Sequence, residues 1–417
     1  MNLIVRQAKI VDAKSEFHNE IVDILIEGGT ISKIGKSIKN SDNFEELKFE
    51  NLCVSQGWFE SSASFGEPGF EDRETIANGL SVAAKSGFTG VALQPNANPI
   101  IDNQALVNLV RTKSNGNAVD LYPIGALTMK SEGNDLAELL DMKNAGAVAF
   151  GDYARNMESA NLLKLALQYA QDIDALVIAF AQESSLKGKG IANEGINATK
   201  LGLKGIPNLA EELMIARNLY LLEYAGGKLH IPTVSTPKSV QLIKEAKAKG
   251  LRVTCSVSVH HLTLTDEKLS GFDTRVKVSP PLRTESDRKA LVKAVKDGII
   301  DAITSDHNPI DIEHKKMEFD LAKDGTIGLE SAFRALLNVL PIEIVVDKLT
   351  SAKAIFGIES SGISEKSKAN LTFFTTDGTS VFTKQNILSK SKNSAFLGEK
   401  TKGKVYGIFN NSQLILS

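Results

Sequence analysis

Six histidines are the natural starting point for metal or acid–base chemistry in this 417-residue chain: His18, His230, His260, His261, His307 and His314. None stands two or four residues from another, the spacings at which a strand or a helix turns two imidazoles toward one ion. His260 and His261 are adjacent, so their side chains diverge, and they read as structural. The two cysteines, Cys53 and Cys255, have no zinc-ligand spacing and cannot build a disulfide framework. They read as buried free thiols, with a reducing cytoplasm as the default compartment. Ser62 and Ser64 could act as nucleophiles, yet no histidine or lysine base stands beside them in sequence. Three strand-end groups remain. Asp306, next to His307, reads either as a proton shuttle or as a carboxylate bound by nearby backbone. Asp152 reads as a loop carboxylate. Asn96 could hydrogen-bond a ligand amide or simply shape a Pro-Asn turn.

The elements that must position these groups follow from hydrophobic patterning. Apolar runs at 52–58, 88–93, 119–127, 146–150, 175–181, 228–234, 251–257 and 299–304 predict eight strands. Helical periodicity lies between them, for example at 74–85, 135–144, 210–224, 237–249 and 286–296. Strands alternating with helices need parallel pairing, and eight such units in about 300 residues predict an α/β (β/α)8 barrel. Both ends alternate apolar and polar residues instead. Residues 1–55 and 363–417 are therefore expected to form one small β-sandwich flanking a barrel of residues 56–362. The 384–404 stretch, rich in Ser, Lys and Asn, reads as a solvated loop.

Composition narrows the function classes. The chain is 42% hydrophobic and 24% charged, ordinary for a globular protein. With 48 basic and 50 acidic residues its net charge of −2 gives no electrostatic case for nucleic acid or a membrane surface. No signal peptide and no membrane-length apolar run are read.

In a (β/α)8 barrel, chemistry sits at the C-terminal ends of the strands. The segments there, taken in order, resemble dihydroorotases of the amidohydrolase superfamily over nearly the whole chain. They include Glu67-Pro68-Gly69-Phe70-Glu71, Pro95-Asn96 with Asn98-Pro99, His260-His261-Leu262, Pro280-Pro281-Leu282-Arg283, Ser305-Asp306-His307 and Gly328-Leu329-Glu330. The resemblance implies zinc held by imidazoles and carboxylates, a metal-activated water that opens a cyclic amide, and an aspartate at the end of strand 8 that carries the proton.

Set against that pattern, most ligands are replaced. The family's Asp-x-His-x-His-x-Arg-Glu-Pro-Gly stretch corresponds to Glu60 through Gly69, with Ser62 and Ser64 at both histidine positions and Gly66 at the arginine that binds the substrate carboxylate. Phe180 and Thr233 stand where histidines are expected after strands 5 and 6. Ser279 replaces an asparagine, and Ile310 a further histidine. Asp152 and Asp306 remain of the usual ligands, and Asn96, His230 and His307 remain in their motif contexts. Two carboxylates do not make a zinc site. The expectation is a dihydroorotase-like protein of pyrimidine biosynthesis without metal or catalysis, kept as a structural or regulatory partner. The partner would be aspartate carbamoyltransferase or another dihydroorotase chain, with a homodimer also in view. The alternative is an active cyclic amidohydrolase whose altered zinc site uses Asp152, Asp306 and a histidine such as His230 or His307.

Overall fold

In the computed structural model, residues 1–41 and 43–417 are described. Eight parallel strands run in chain order around a barrel: β1 (Trp58–Ala63), β2 (Phe88–Leu93), β3 (Asp120–Gly125), β4 (Ala149–Asn156), β5 (Leu176–Phe180), β6 (Lys228–Ile231), β7 (Val253–Ser258) and β8 (Ala302–Thr304). The ring closes where Ala63 bridges to His307 and the Ser64 amide donates to the His307 carbonyl at 2.8 Å. Phe59, Ala92, Ala149, Ile178 and Ala302 fill the barrel interior.

The outer helices include α1 (Ile76–Lys85), α2 (Gln104–Ser114), α3 (Leu139–Asn144), α4 (Ala160–Asp172), α5 (Asn208–Ala225), α6 (Pro237–Ala248) and α7 (Glu285–Lys296). Their starts are written locally. Thr75, Asn103, Ser159 and Thr236 each accept from a backbone amide of the first turn, Pro237 opens α6, and Thr284 with Asp287 forms a capping box.

Both termini supply the second sheet. Strands Leu3–Ile10, Ile21–Glu27, Thr30–Gly35, Cys53–Gln56, Leu371–Val381, Lys400–Asn410 and Gln413–Leu416 join in it, with Glu45–Leu47 paired to the first. They wrap one apolar cluster containing Leu3, Ile24, Val54, Leu371 and Phe409. This is the flanking β-sandwich expected from the alternating termini.

Three local expectations fail, each for a physical reason. The 52–58 run is not one strand. Cys53–Gln56 belongs to the sandwich, and the barrel begins only at Trp58. The chain changes sheets at Gly57, where a Cβ would lie 2.0 Å from Asn370 Oδ1 and 2.1 Å from Thr89 Oγ1, so only glycine fits. The 146–150 strand starts later, at Ala149, because Gly146 (φ +106°) turns the chain out of α3. The 384–404 stretch is solvated only in part, its lysines exposed and its serines packed. Ser389, Ser394 and Phe396 are fully buried, Ser389 donates to Glu330, the Lys390 amide donates to Glu74, and Lys400 onward is strand.

Candidate functional site

The mouth of the barrel holds a narrow polar pocket. Ser62 at the end of β1 and Asp306 just past β8 meet there, with Ser62 Oγ donating to Asp306 Oδ1 at 2.9 Å. Tyr153 from β4 donates to the same oxygen at 3.3 Å, and Gln94 after β2 donates to Ser62 Oγ at 3.1 Å. Phe180, Ile178 and Thr233 form the opposing wall, and Ser279 completes it. The enclosed free volume is ≈ 20 Å³, enough for about one water. Burial pushes the Asp306 carboxyl up to about 6, while the hydroxyls of Ser62 and Tyr153 pull it back down. The Tyr153 phenol is driven well above its ordinary value by burial and the neighbouring carboxylate.

Beneath this pocket lies a second carboxylate that ties the barrel seam. Glu60, fully buried on β1, accepts from the Ser62 amide at 2.8 Å, the Ser305 amide at 2.8 Å and the Thr304 hydroxyl. Burial raises its carboxyl to about 7. A folded-state value above the unfolded one means the folded protein holds this proton more tightly. Its contribution is fully present below about 4.5 and is lost as pH rises through about 7. Glu60→Gln turns an acceptor into a donor facing the Ser305 amide, and is expected to cost about 2 kcal/mol. Urea unfolding from pH 5 to 8 should show the gap to wild type widest at the acid end. A gap that is flat across this range would contradict the assignment.

The residues singled out from sequence separate into two groups. Ser62, Phe180, Thr233, Ser279 and Asp306 do converge on the pocket. Asp152 does not line it. Its Oδ1 accepts from the amides of Leu127 and Thr128 at 2.9 and 3.1 Å, and its Oδ2 from the Thr128 hydroxyl at 2.6 Å, so it pins the loop after β3. Ser64 serves barrel closure through its amide. Asn96 is half-buried, and Gln94 rather than Asn96 reaches the pocket from the β2 end. Ile310 is buried and borders a separate open groove of ≈ 740 Å³. Gly66 has φ +92°, and a Cβ there would meet the Phe70 carbonyl oxygen at 2.7 Å. Asp306 is held by side-chain hydroxyls, not by the backbone bonds anticipated for it.

The histidines are engaged elsewhere. His230 bonds Thr254 and Ser256 hydroxyls at 2.9 and 3.1 Å, and His307 Nδ1 accepts from the amides of Gly328 and Leu329. His261 lies between Ser258 and the Pro281 carbonyl, and both ring nitrogens of buried His260 lack a hydrogen-bond partner. Burial lowers the pKa of all four imidazoles, which favours their neutral forms. Among the described residues, no three His, Cys, Asp or Glu side chains come together in a group that could hold a metal ion.

Zinc takes four ligands in structural sites and at least three protein ligands in catalytic ones, mostly imidazole, thiolate or carboxylate. The pocket offers one carboxylate, neutral hydroxyls, an amide and a phenyl ring, a donor set that does not fit. Thr233 has φ +48°, a conformation costly for a β-branched residue but one in which histidine is enriched. Asp306, at φ +46°, is of a type that tolerates it.

Glu60, Gln94 and Tyr153 were not foreseen from sequence. For Tyr153 the reason is structural: neighbours along a strand face opposite ways, and with Asp152 held by the β3 loop its successor faces inward.

The chain was compared with known proteins. Residues 55–239 match the family described as Dihydro-orotase-like. Over 410 residues the chain is 38% identical to a dihydroorotase of Geobacter metallireducens, covering 97% of this chain and 96% of that one. Identity to a dihydroorotase of Acetivibrio thermocellus is 37% over 422 residues, or 99% of each chain. Among solved structures, an L-hydantoinase from Arthrobacter aurescens superposes with a TM-score of 0.86 at 20% identity, covering 100% of this chain and 96% of that one. A D-hydantoinase from Thermus sp. gives 0.81 at 20%, covering 100% and 97%. At such identity the hydantoinases speak for the fold alone. No helix among the described residues is long and apolar enough to cross a membrane.

Proposed function

This chain belongs to the dihydroorotase family of cyclic amidohydrolases, and from that footing we propose that it serves pyrimidine metabolism as a non-catalytic homologue, a structural or regulatory partner in the cytoplasm. One observation carries the reading. The positions around Asp306 that resemble metal ligands are filled by Ser62, Phe180 and Thr233, and a hydroxyl network satisfies the carboxylate. The chemistry is what has been lost. The barrel, its closure through Glu60 and the sandwich are all intact, as a scaffold requires. Its partner is proposed to be aspartate carbamoyltransferase or a dihydroorotase chain with a complete motif. With a net charge of −2, nucleic acid and membranes are not proposed as partners.

A specific observation favours a second reading, an active dihydroorotase with an altered site. Relatives that match nearly end to end at 35–40% identity carry that name. Complementation separates the two. Expressed in a bacterial strain lacking dihydroorotase, this chain is expected not to restore growth without uracil. Growth that disappears on Asp306→Ala would establish the second reading.

A further inference from the structure

The N-terminal face of a (β/α)8 barrel ordinarily serves stability alone. Here it holds a cavity whose charged groups are left unpaired. The cavity lies at the opposite end from the Asp306 pocket, beneath Thr89 and Gly90 at the start of β2 and Asp120 at the start of β3. The 358–361 loop and Asn370 cover it, and its volume is ≈ 150 Å³. An engineered apolar cavity of about that size admits benzene, so a molecule of about six heavy atoms fits.

Most of the polar wall is already satisfied. Thr89 donates to Asn370 at 2.8 Å, Asn370 to Asn410 at 3.0 Å, Gln56 to Asp12 at 2.8 Å, and Ser360 to Gln56. What remains is charged or phenolic. Lys353, in the short helix Ala352–Ile355, is 6% exposed, and its ammonium donates only to the Gly57 carbonyl, at 2.7 Å. Its other two N–H groups have no acceptor among the described residues. The Tyr122 hydroxyl likewise has no partner among them, and burial, with Asp120 beside it, pushes the phenol up to about 12, so it stays a donor. Asp120 accepts one bond on each oxygen, from Asn411 at 2.8 Å and Asn410 at 3.0 Å, which leaves a lone pair free on each. It is near enough to hold the Lys353 proton more firmly against burial, yet the two form no ion pair. At the rim, exposed Glu359 and Lys368 repeat the arrangement, again unpaired with each other.

Opposite charges held apart across one small cavity define the chemistry of their ligand. A lone anion would sit on Lys353 but face Asp120, and a lone cation would do the reverse. A molecule carrying both charges one carbon apart satisfies both walls, and in a partly desolvated site each contact counts for more than in water. We propose that this cavity binds a small zwitterionic α-amino acid, with its carboxylate on Lys353 and Tyr122 and its ammonium on Asp120. The inference stands apart from whether the Asp306 pocket is catalytic, because the two sites share no residue.

Calorimetric titration of the full chain with glycine, alanine and serine tests it, with acetate and methylamine as the two halves of the ligand. At least one of the three amino acids is expected to saturate at about 1 mM or below. Acetate and methylamine should each bind at least about 10-fold more weakly, the worth of one charge-assisted hydrogen bond. The same amino acid should raise the melting temperature, because it binds only the folded chain. Lys353→Met should abolish binding. That substitution also removes the Gly57 contact, so Ser361→Trp serves as a second variant. Ser361 is exposed at the rim, where an indole closes the mouth without entering the core. Binding should be lost while the unliganded melting temperature holds. Absence of saturable binding by all three amino acids would overturn the proposal. So would acetate binding as tightly as the amino acid, which would make this a site for plain carboxylates, or binding that both variants retain, which would place it elsewhere.

Discussion

Offered dihydroorotate or carbamoyl aspartate, with zinc, cobalt or manganese supplied in turn, the purified protein is expected to turn over neither. Two independent deficits produce this result. The first is nucleophile activation. A pocket of one carboxylate and neutral hydroxyls does not hold zinc, and water left to itself ionises near pH 15.7 rather than about 7. At neutral pH that lowers the hydroxide available at the site by more than about 10⁸-fold. Asp306, raised to about 6 by burial, could still carry a proton, but it has no activated water to serve. The second deficit is positioning. The arginine position is Gly66, whose φ of +92° and close approach to the Phe70 carbonyl disfavour any side chain there. Ser279 offers a short hydroxyl, and Ile310 faces another groove. Orientation is worth about 7–11 kcal/mol of barrier in well-placed reactions, so either loss alone would be severe. Absorbance assays in both directions decide the matter. Turnover near about one per second that Asp306→Ala abolishes would establish an enzyme with a rebuilt site, since rates of that size lie within the ordinary enzymatic range.

What the sequence made legible follows from what each residue type reports. Period and cap chemistry are local, so six of the eight strands and the sampled helices emerge within a few residues. Sheet identity is not local. The run from Leu52 to Trp58 is buried throughout because it lies in the cores of both sheets, and only the contacts of Gly57 with Asn370 and Thr89 show where one ends and the other begins. The 384–399 segment misleads in the opposite way. Its polar residues look solvent-facing, yet Ser389, Ser391 and Asn393 are buried, because Glu330 and the carbonyls of Arg73, Asn308 and Gly325 accept their hydrogen bonds. At the site, motif order picks out Ser62, Phe180, Thr233, Ser279 and Asp306, but not that Asp152, Ser64, Asn96 and Ile310 lie elsewhere. A carboxylate at a strand end can face the pocket or the neighbouring loop, and three donors from Leu127 and Thr128 settle which.

Zinc content provides the second large effect, and a restoration series makes it decisive. Wild-type protein grown with zinc is expected to carry far less than one equivalent per chain, measured by elemental analysis. Ser62→His with Ser64→His should do no better. An imidazole at 62 enters a pocket of ≈ 20 Å³, removes the hydroxyl that bonds Asp306 and Gln94, and should cost about 1–3 kcal/mol through overpacking. Ser64 lies outside that pocket, so its replacement adds no ligand to Asp306. Adding Phe180→His and Thr233→His changes the outcome. The first removes the phenyl wall, and the second places an imidazole on a backbone at φ +48° that suits it better than threonine. The fourfold variant is expected to bind about one zinc, because nitrogen ligands then join Asp306 in the number that zinc requires. It should still fail to hydrolyse dihydroorotate, because Gly66 cannot supply the carboxylate clamp. Two tightly held equivalents in the wild type would mean that other side chains ligate the metal, and the reading of Ser62, Phe180 and Thr233 as vacated ligand positions would fall.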